Sequence, residues 1–333
     1  MSSALLYDNH GRKINYLRLA VTDRCNLRCF YCMPENGITY LPKKALLTFE
    51  EIERLVRLMA SMGITKVRLT GGEPFVRTDL MKLIRKIVDI PGITDVHLTT
   101  NGVLTTPHIP ELKALGIASV NLSLDTLDKE RFKSITRRDE FDRVWHTYEQ
   151  LLHHNIPVKI NAVVMEDKNI DDLIPMVELT RQQNVSVRFI EEMPFNGEGM
   201  HYAQLNWTHK RILDYLKQHY PALQKLADPE HATAHHYQVP GYKGNIGIIA
   251  AFSRTFCGTC NRIRLTAQGT LKTCLYDDGV LNIRDLMRSE ADDEQLKQHL
   301  LKAFNHRPKD GFEAERQRSK HQPVTESMAT IGG

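Results

Sequence analysis

The sequence predicts an α/β protein, a partial (β/α)6 barrel of the TIM type with a smaller C-terminal unit. Two observations lead to this class. Apolar stretches of strand length alternate six times with helical patterns, which is typical of parallel strands connected by helices. Polar residues also recur at every second position of these strands, so one face of the sheet is polar across its width. A curved sheet around a water-filled lumen accounts for both observations.

The elements follow a regular order up to about residue 192. The first helix begins with a capping box, in which Thr48 precedes Glu51 by three residues. Strands are predicted at about 14–22, 64–70, 94–100, 117–124, 157–164 and 185–191. Further helices are predicted at about 78–89, 107–115, 140–154 and 170–183.

The repeating pattern breaks after residue 192. A glycine-rich segment, FNGEGM, precedes a helix predicted near 208–219, and short strand-like runs continue through a second group of cysteines. We therefore predict one unit over 1–235 and a second, smaller unit over 236–333. Residues 306–333 are polar and aperiodic, so no secondary structure is predicted there.

The repeats alone leave two other sheets open. An open, doubly wound sheet has the same order of strands and helices, and an antiparallel sheet with one wet face has the same alternation. Parallel strands buried on both faces read as continuous apolar runs, whereas KVRLT sets Val67 and Leu69 opposite Lys66, Arg68 and Thr70. The helical connections disfavour the antiparallel sheet.

Cations are frequent on the polar face. They are Arg18, Lys66, Arg68, Lys159 and Arg188 in the six strands, with Arg262 and Arg264 in the later segment CNRIRLT. Buried cations are costly unless an anion meets them. The lumen is therefore predicted to bind a strongly anionic ligand, and a polyphosphate fits.

The composition is that of an ordinary soluble globular protein. The chain has 333 residues, 41% of them hydrophobic and 25% charged, and no apolar run reaches the roughly 18 residues of a membrane span. The start, MSSALLYDNHGRK, lacks the apolar core of a secretory signal, so we expect a cytoplasmic protein without a membrane partner. A net charge of +4 is too small to indicate a nucleic-acid partner by itself.

The six cysteines fall into two groups of three, namely Cys25, Cys29 and Cys32, and then Cys257, Cys260 and Cys274. Without a secretory signal, such clusters more often bind metal or carry out redox chemistry than form disulfides. Three thiolates can hold three irons of a 4Fe–4S cluster and leave the fourth iron open. Zinc is the alternative, but it needs a fourth ligand, and the nearest histidines lie upstream of the second group, at 231, 235 and 236.

Two motifs surround the first cysteine group. The spacing is Cys-x3-Cys-x2-Cys with Tyr31 before the last cysteine, and GGEP at Gly71–Pro74 follows the second strand. Together they resemble the signature of the radical S-adenosylmethionine (SAM) enzymes. The resemblance implies that the open iron binds SAM, which is cleaved to methionine and a 5′-deoxyadenosyl radical. The SAM contacts that it implies are Tyr31, Gly71, Gly72, Glu73, Thr99, Ser123 and Arg188.

Further motifs narrow the resemblance. Cys-x2-Cys-x13-Cys followed by NRIRLT, with VTDRCNLRC and a terminal MATIGG, is similar to the GTP 3′,8-cyclase family of molybdenum cofactor biosynthesis over essentially the whole chain. This implies a second 4Fe–4S cluster, on Cys257, Cys260 and Cys274, whose open iron binds guanine. The GTP contacts implied by position are Arg18, Lys66, Arg68, Lys159, Arg262 and Arg264.

The resemblance also implies a reaction and its partners. The radical would remove the 3′ hydrogen of GTP, and the carbon radical would attack C8 of guanine to give (8S)-3′,8-cyclo-7,8-dihydroguanosine 5′-triphosphate. This is the first step of molybdenum cofactor (molybdopterin) biosynthesis, and the product passes to a cyclic pyranopterin monophosphate synthase. The family further suggests a homodimer, whereas the protein that supplies electrons is unknown.

The chain printed here ends in Gly332-Gly333. A frayed end is the common fate of such residues, and a terminal Gly-Gly is also found on conjugation tails of small ubiquitin-like domains. The resemblance implies instead that the tail enters the pocket and, with Arg262 and Arg264, counts among the catalytic residues.

Two other functions compete with the cyclase. A peptide-modifying radical SAM enzyme would use the second cluster as an electron relay, but a fully ligated cluster needs a fourth cysteine and none is left. A zinc-stabilised nucleic-acid-binding protein would present its cations as an exposed stripe with aromatic partners. Here the cations alternate along separate strands.

Overall fold

The computed structural model describes residues 6–193, 205–318 and 326–332. The strands are β1 (Tyr16–Ala20), β2 (Lys66–Thr70), β3 (Asp95–Thr100), β4 (Ser119–Ser123), β5 (Val158–Val164), β6 (Ser186–Glu191), β7 (Gln224–Lys225), β8 (Ala234–Gln238), β9 (Asn245–Ile249), β10 (Arg262–Leu265), β11 (Thr270–Lys272) and β12 (Leu281–Asn282). The α-helices are α1 (Phe49–Ser61), α2 (Leu80–Val88), α3 (Ile109–Ala114), α4 (Lys129–Thr136), α5 (Phe141–His153), α6 (Leu173–Gln182), α7 (His209–His219), α8 (Ile283–Arg288), α9 (Asp293–Phe304), α10 (Gly311–Arg316) and α11 (Met328–Ile331).

Within the described residues these strands form one twelve-stranded sheet. Its order is β12-β11-β10-β1-β2-β3-β4-β5-β6-β9-β8-β7. Strands β1 to β6 pair in sequence order, and every pair among them is parallel. Strand β10 pairs parallel with β1, and β9 pairs parallel with β6. The predicted α/β class is therefore confirmed, and the antiparallel alternative is wrong.

The two faces of the central strands differ as predicted. Leu17, Val67 and Leu69 are fully buried in the main hydrophobic core, which also contains helix residues such as Ile52. Burying each such side chain contributes roughly 1.5–3 kcal/mol. The residues between them, such as Arg68, point to the opposite face because side chains alternate along a strand.

Helix α1 begins as predicted. The Thr48 side chain accepts a hydrogen bond from the Glu51 amide (3.1 Å), and the Glu51 carboxylate accepts one from the Thr48 amide (2.7 Å). These two bonds satisfy amides that the first turn of a helix leaves unpaired. The capping box thus fixes the start of a helix whose buried residues, such as Ile52 and Leu55, belong to the same core as Leu17 and Val67.

Several helices lie where none was predicted. Helix α4 begins at Asp128, whose carboxylate accepts from the Arg131 amide (2.7 Å), but few of its residues are apolar. Helices α8 and α9 follow β12, after the second cysteine group. Helices α10 and α11 occupy part of the 306–333 stretch, where the expectation of no structure was wrong. Both are so short that they show no periodicity, and contacts with the rest of the protein must stabilise them.

The division at residue 235 stays a prediction. Strands from both sides of that position share one sheet, because β9 and β10 extend its two parallel edges. No helix in the described part of the chain is both long enough and apolar enough to span a bilayer.

Candidate functional site

Register brings the predicted cations into rows across the sheet. Arg264 of β10 pairs with Arg18 of β1, which pairs with Arg68 of β2, and Arg68 is followed in the same row by His97 of β3. A second row joins Arg262, Tyr16 and Lys66. The period-two pattern in sequence therefore becomes a continuous cationic face.

This face lines a cavity of about 360 Å³. Its lining includes every predicted cation, that is Arg18, Lys66, Arg68, Lys159, Arg188, Arg262 and Arg264. The second cysteine group, Cys257, Cys260 and Cys274, lines the same cavity. Concave sites of this size hold small-molecule ligands, and the charge selects an anionic one.

The crowding of cations changes the ionisation of its neighbours. Burial, together with Arg188, Arg68 and Lys66, lowers the pKa of Lys159 to about 8. Burial alone would raise the pKa of Tyr16, but the nearby Arg68 and Arg18 outweigh it and lower that pKa to about 7. The cavity thus carries more positive charge than its surroundings can neutralise, which is the condition for anion binding.

Several buried polar atoms on the lumen side have no hydrogen-bond partner among the described residues. They are Arg18 Nε, Thr70 Oγ1, His97 Nε2, Thr99 Oγ1, Asn121 Oδ1, Asn161 Oδ1 and Arg188 Nε. An unpaired buried polar group costs about 1–3 kcal/mol, so such groups are normally satisfied by a ligand or water. Arg18, Asn121, Asn161 and Arg188 line the cavity, where a bound ligand could satisfy them.

The first cysteine group follows β1 directly. The Cys29 carbonyl accepts hydrogen bonds from the amides of Cys32 (3.0 Å) and Met33 (3.1 Å), which folds the loop back on itself. Asn101, at the end of β3, donates to Cys25 Sγ (3.7 Å) and to Asn26 Oδ1 (2.8 Å). The alternation of His97, Thr99 and Asn101 places Asn101 on the polar face of β3, at a strand terminus where site residues of barrels collect, but it does not predict the contact with Cys25.

The GGEP segment supports this loop. The amides of Gly72 and Glu73 donate to the carbonyls of Thr22 (2.9 Å) and Arg24 (2.8 Å). A Cβ on Gly72 would lie 2.3 Å from the Arg24 carbonyl oxygen, so only glycine allows this approach. Close packing against the backbone of the cysteine loop therefore explains why both Gly71 and Gly72 are glycines.

The Glu73 side chain points away from any open space. It is fully buried, and its carboxylate accepts hydrogen bonds from Thr100 Oγ1 (2.8 Å), the Asn101 amide (2.7 Å) and the Phe75 amide (3.2 Å). Burial raises its pKa to about 7 despite these bonds. Glu73 thereby connects the GGEP segment with Asn101, and through it with Cys25.

Tyr31 is also tied to a buried carboxylate. Its hydroxyl donates to Asp125 Oδ2 (2.8 Å), and Asp125 Oδ1 accepts from the Val163 amide (2.8 Å). The period-two alternation of Ser119, Asn121, Ser123 and Asp125 predicts that Asp125 lies on the polar face, but it does not predict the bond to Tyr31. The pair holds the cysteine loop against the ends of β4 and β5.

The second cysteine group is shaped by two features. Asp277 accepts hydrogen bonds from the amides of Thr273 (2.8 Å), Cys274 (2.8 Å) and Gly279 (2.9 Å), which closes the turn after β11. The Asp-Asp-Gly letters after Cys274 are a turn signal that could have revealed it. On the opposite side of this group, buried Arg12 and Arg307 donate to its backbone carbonyls. These carbonyls lie far from Arg12 along the chain and outside any local pattern around Arg307, so the sequence does not predict the contacts.

The C-terminal tail crosses from one cysteine group to the other. Ser327 Oγ donates to the Cys32 carbonyl (2.7 Å). Ile331 of the tail belongs to a buried cluster with Tyr276 and Ala314, against which Cys274 and Met328 pack. The Gly332 carbonyl accepts from Arg264 Nη1 (2.7 Å), so the tail ends beside the cationic row. Gly333 lies outside the described residues.

The predicted residues thus form two neighbourhoods rather than one. The lining of the cavity does not include the first cysteine group, Tyr31, Gly71, Gly72, Glu73, Thr99 or Ser123. Arg188, assigned to SAM by resemblance, lies with the predicted GTP contacts instead. The individual roles of all these residues stay predictions.

The donors present fit iron–sulfur clusters. All six cysteines are free, and burial is the main cause that raises the pKa of Cys32 and of Cys274, each to about 12, so a bound cation is needed to ionise them. Among the described residues, no three His, Cys, Asp or Glu side chains are grouped for one metal ion. Thiolates of a 4Fe–4S cluster each bind a different iron, so they need not meet at one point.

Comparison with known proteins agrees with this site. The Radical SAM superfamily matches residues 19–180, and the family described as Molybdenum Cofactor Synthesis C matches residues 185–313. Streptococcus suis SuiB, solved with S-adenosylmethionine bound, has a TM-score of 0.58 at 16% identity, covering 87% of this chain and 68% of SuiB. At that identity the likeness shows the fold alone.

Two curated relatives are much more similar in sequence. GTP 3′,8-cyclase of Clostridium perfringens is 42% identical over 306 residues, which are 90% of this chain and 93% of that protein. Molybdenum cofactor biosynthesis protein 1 of Bos taurus is 42% identical over 295 residues, 88% of this chain but 46% of that protein. The chain therefore spans about half the length of its animal relatives.

Fold and cysteine loop together define a protein of the radical SAM superfamily. Within that superfamily, the chain belongs to the GTP 3′,8-cyclase family.

Proposed function

We propose that this chain is a radical SAM enzyme that cyclises GTP to (8S)-3′,8-cyclo-7,8-dihydroguanosine 5′-triphosphate. The observation that carries the proposal is the cavity itself, which is lined by the seven predicted cations and by the second cysteine group. A nucleoside triphosphate has both parts that such a wall would bind, a polyanion and a base with donor atoms for an open iron.

The positions of the residues suggest which of them would bind the triphosphate and which would hold the cluster that cleaves SAM. Arg18, Arg68 and Arg264 stand in one row and would hold the triphosphate, with Lys66 and Arg262 in the next row. When bound on Cys25, Cys29 and Cys32, a 4Fe–4S cluster would supply the electron that cleaves SAM. Asn101 and the GGEP segment would keep that loop in place, because they contact it directly.

The proposed reaction balances once an outside reductant is included. Hydrogen abstraction from C3′ gives 5′-deoxyadenosine and a ribose radical, which adds to C8 of guanine. The resulting guanine radical takes up one electron and one proton to give the dihydro product. Each product molecule should therefore be accompanied by one 5′-deoxyadenosine.

The competing functions receive less support. A nucleic-acid-binding protein needs exposed cations, whereas these line an interior cavity. SuiB is similar in fold only, so it gives no support for a peptide substrate. Transfer of the product to a cyclic pyranopterin monophosphate synthase, a homodimer, a cytoplasmic location and a separate electron donor stay predictions.

The test is an anaerobic incubation of the iron-reconstituted chain with SAM, dithionite and GTP. Mass spectrometry should find 5′-deoxyadenosine and the cyclised product in equal amounts, with ATP giving no product. GTP deuterated at C3′ should transfer its label to 5′-deoxyadenosine. If unlabelled 5′-deoxyadenosine forms while the deuterated GTP stays intact, the radical chemistry is right and the substrate is wrong.

A further inference from the structure

The N-terminal segment before β1 reaches across the molecule to the second cysteine group. Residues 6–14 form a narrow hairpin, in which the amides of Asp8 and Ile14 donate to the carbonyls of Arg12 (3.0 Å) and Leu6 (2.8 Å). These residues precede both matched family regions, which begin at residues 19 and 185. Nothing in the proposed reaction so far uses them.

Asp8 is the centre of a buried ionic group. Its side chain is 0% exposed, and Oδ2 accepts hydrogen bonds from Arg12 Nε (2.7 Å) and Arg307 Nη1 (3.1 Å). Oδ1 accepts from the amides of His10 and Arg12, both at 2.9 Å. One carboxylate therefore fixes two arginine side chains that are themselves at most 7% exposed.

Both arginines also donate to the second cysteine group, although Arg12 donates in addition to the carbonyls of Pro308 (2.8 Å) and Lys309 (2.7 Å). Arg12 Nη1 donates to the Cys257 carbonyl (3.1 Å). Arg307 donates through Nε to the Thr273 carbonyl (3.2 Å) and through Nη1 to the Cys260 carbonyl (3.3 Å). The segments carrying all three cysteines are thus joined to Asp8.

Arg307 also reaches a sulfur. Its Nη2 lies 3.8 Å from Cys260 Sγ and donates to it, while the same nitrogen donates to the Arg262 carbonyl (3.0 Å). At the first cysteine group the corresponding donor is a neutral amide, Asn101 Nδ2, 3.7 Å from Cys25 Sγ. The two cysteine groups therefore differ in the charge of the donor at the sulfur.

We propose that Arg307, held in place by Asp8, raises the reduction potential of the cluster on Cys257, Cys260 and Cys274 by donating to Cys260 Sγ. Reduction adds one negative charge to a cluster and its thiolates, and a buried cation at a thiolate stabilises that charge more than a neutral amide does. Arg307 and Asp8 are positioning residues. This inference rests on the second cluster of the proposed function.

The experiment uses the full chain with Cys25, Cys29 and Cys32 each replaced by Ser, so that only the second cluster is reconstituted. Its midpoint is measured by an anaerobic titration with dithionite followed by electron paramagnetic resonance. Arg307→Gln and Arg307→Lys are compared, because Lys keeps a charge but cannot span Thr273, Cys260 and Arg262 together. Asp8→Asn tests the positioning step.

Arg318→Gln is the matched control. Arg318 is also nearly buried and lies near Cys274, but it donates to the Tyr276 carbonyl (3.2 Å) and pairs with Asp278. The midpoint should fall in Arg307→Gln, fall less in Arg307→Lys and stay unchanged in the control. Asp8→Asn removes a negative charge, which by itself raises the midpoint, so a fall in this variant shows that displacement of Arg307 outweighs that loss of charge. Iron content is determined for each variant.

Three results overturn the inference. A normal iron content with an unshifted midpoint in Arg307→Gln shows that the donor does not tune the cluster. Loss of iron from both Arg307 variants, with the control intact, makes Arg307 a retention residue only. Absence of iron from the unsubstituted background overturns the two-cluster part of the proposed function as well, so the two failures are distinguishable.

Discussion

Arg264, Arg18 and Arg68 stand side by side on three adjacent strands, about 5 Å apart at the backbone. At that spacing like charges repel one another appreciably when water is excluded. Hydrogen bonds to the Gly332 and Leu98 carbonyls absorb only part of this positive charge. The row therefore stores unfavourable energy in the free protein, and a bound triphosphate would relieve it.

The protonation state of Lys159 makes the binding of the triphosphate depend on pH. Its pKa is about 8 in the free cavity, and a bound triphosphate would raise it, so binding takes up a proton above pH 8. Through Lys159 alone, GTP affinity should be nearly constant up to about pH 7 and fall about tenfold by about pH 9. Anaerobic calorimetry of the reconstituted chain without SAM measures this directly.

Deprotonation of Tyr16 should also weaken GTP binding as the pH rises, so its contribution needs a control. Its pKa is about 7, and its loss of a proton adds negative charge near the triphosphate. In Tyr16→Phe the fall above pH 8 should remain, whereas in Lys159→Met affinity should be low and should not fall steeply above pH 8. A steep fall in Lys159→Met would contradict the assignment.

A second prediction concerns the close backbone contact at Gly72. In Gly72→Ala the new Cβ would lie 2.3 Å from the Arg24 carbonyl, which must then move together with Cys25. After anaerobic reconstitution we expect about half of the iron to be lost, together with SAM binding. Gly258→Ala is the matched control, because a Cβ there meets nothing within 4 Å. Full iron and SAM binding in Gly72→Ala would refute the packing argument.

The tail from Glu326 to Gly332 is fixed at both ends. The Glu326 carboxylate pairs with Lys272 (2.5 Å), whose side chain is only 1% exposed, and Gly332 ends at Arg264. Gly332 has a φ of +78°, and a Cβ there would lie 2.5 Å from Thr70 Oγ1. Both constraints favour glycine at this position.

Deleting Gly332 and Gly333 should abolish cyclisation while leaving iron content unchanged. The deletion removes the carbonyl that orients Arg264, yet it leaves all six cysteines and the Lys272 ion pair in place. Turnover is followed by mass spectrometry, with iron and far-ultraviolet circular dichroism as controls. Unchanged turnover would remove the tail from the site.

Elements with strong local patterns were predictable from the sequence. The alternation in KVRLT identified the lumen face of β2, and Thr48 with Glu51 identified the start of α1. Helix α4 and the two short C-terminal helices were missed because tertiary contacts, not periodicity, stabilise them. Asp8 and Arg307 were missed for the same reason, since they form a pair separated by nearly the whole chain.

At the scale of the whole molecule, the C-terminal part completes the sheet begun by the N-terminal part. Strand β10 covers the edge of β1, and β9 covers the edge of β6. A chain cut after residue 235 would expose both edges and the lumen, and exposed edges favour aggregation. We expect this fragment to elute as aggregates in size-exclusion chromatography. A monomeric, folded fragment that holds the first cluster would instead show that 1–235 is an independent unit.

The pairing of β1 with a strand near the end of the chain affects the order of events during synthesis. Its partner β10 follows about 250 residues later, and the segment that contacts both cysteine groups follows later still. A ribosome delivers the chain from its N-terminus, so β1 waits with one open edge until nearly all of the chain has emerged. The first cysteine loop is therefore accessible to iron–sulfur carriers early, whereas the second can be enclosed only at the end of translation.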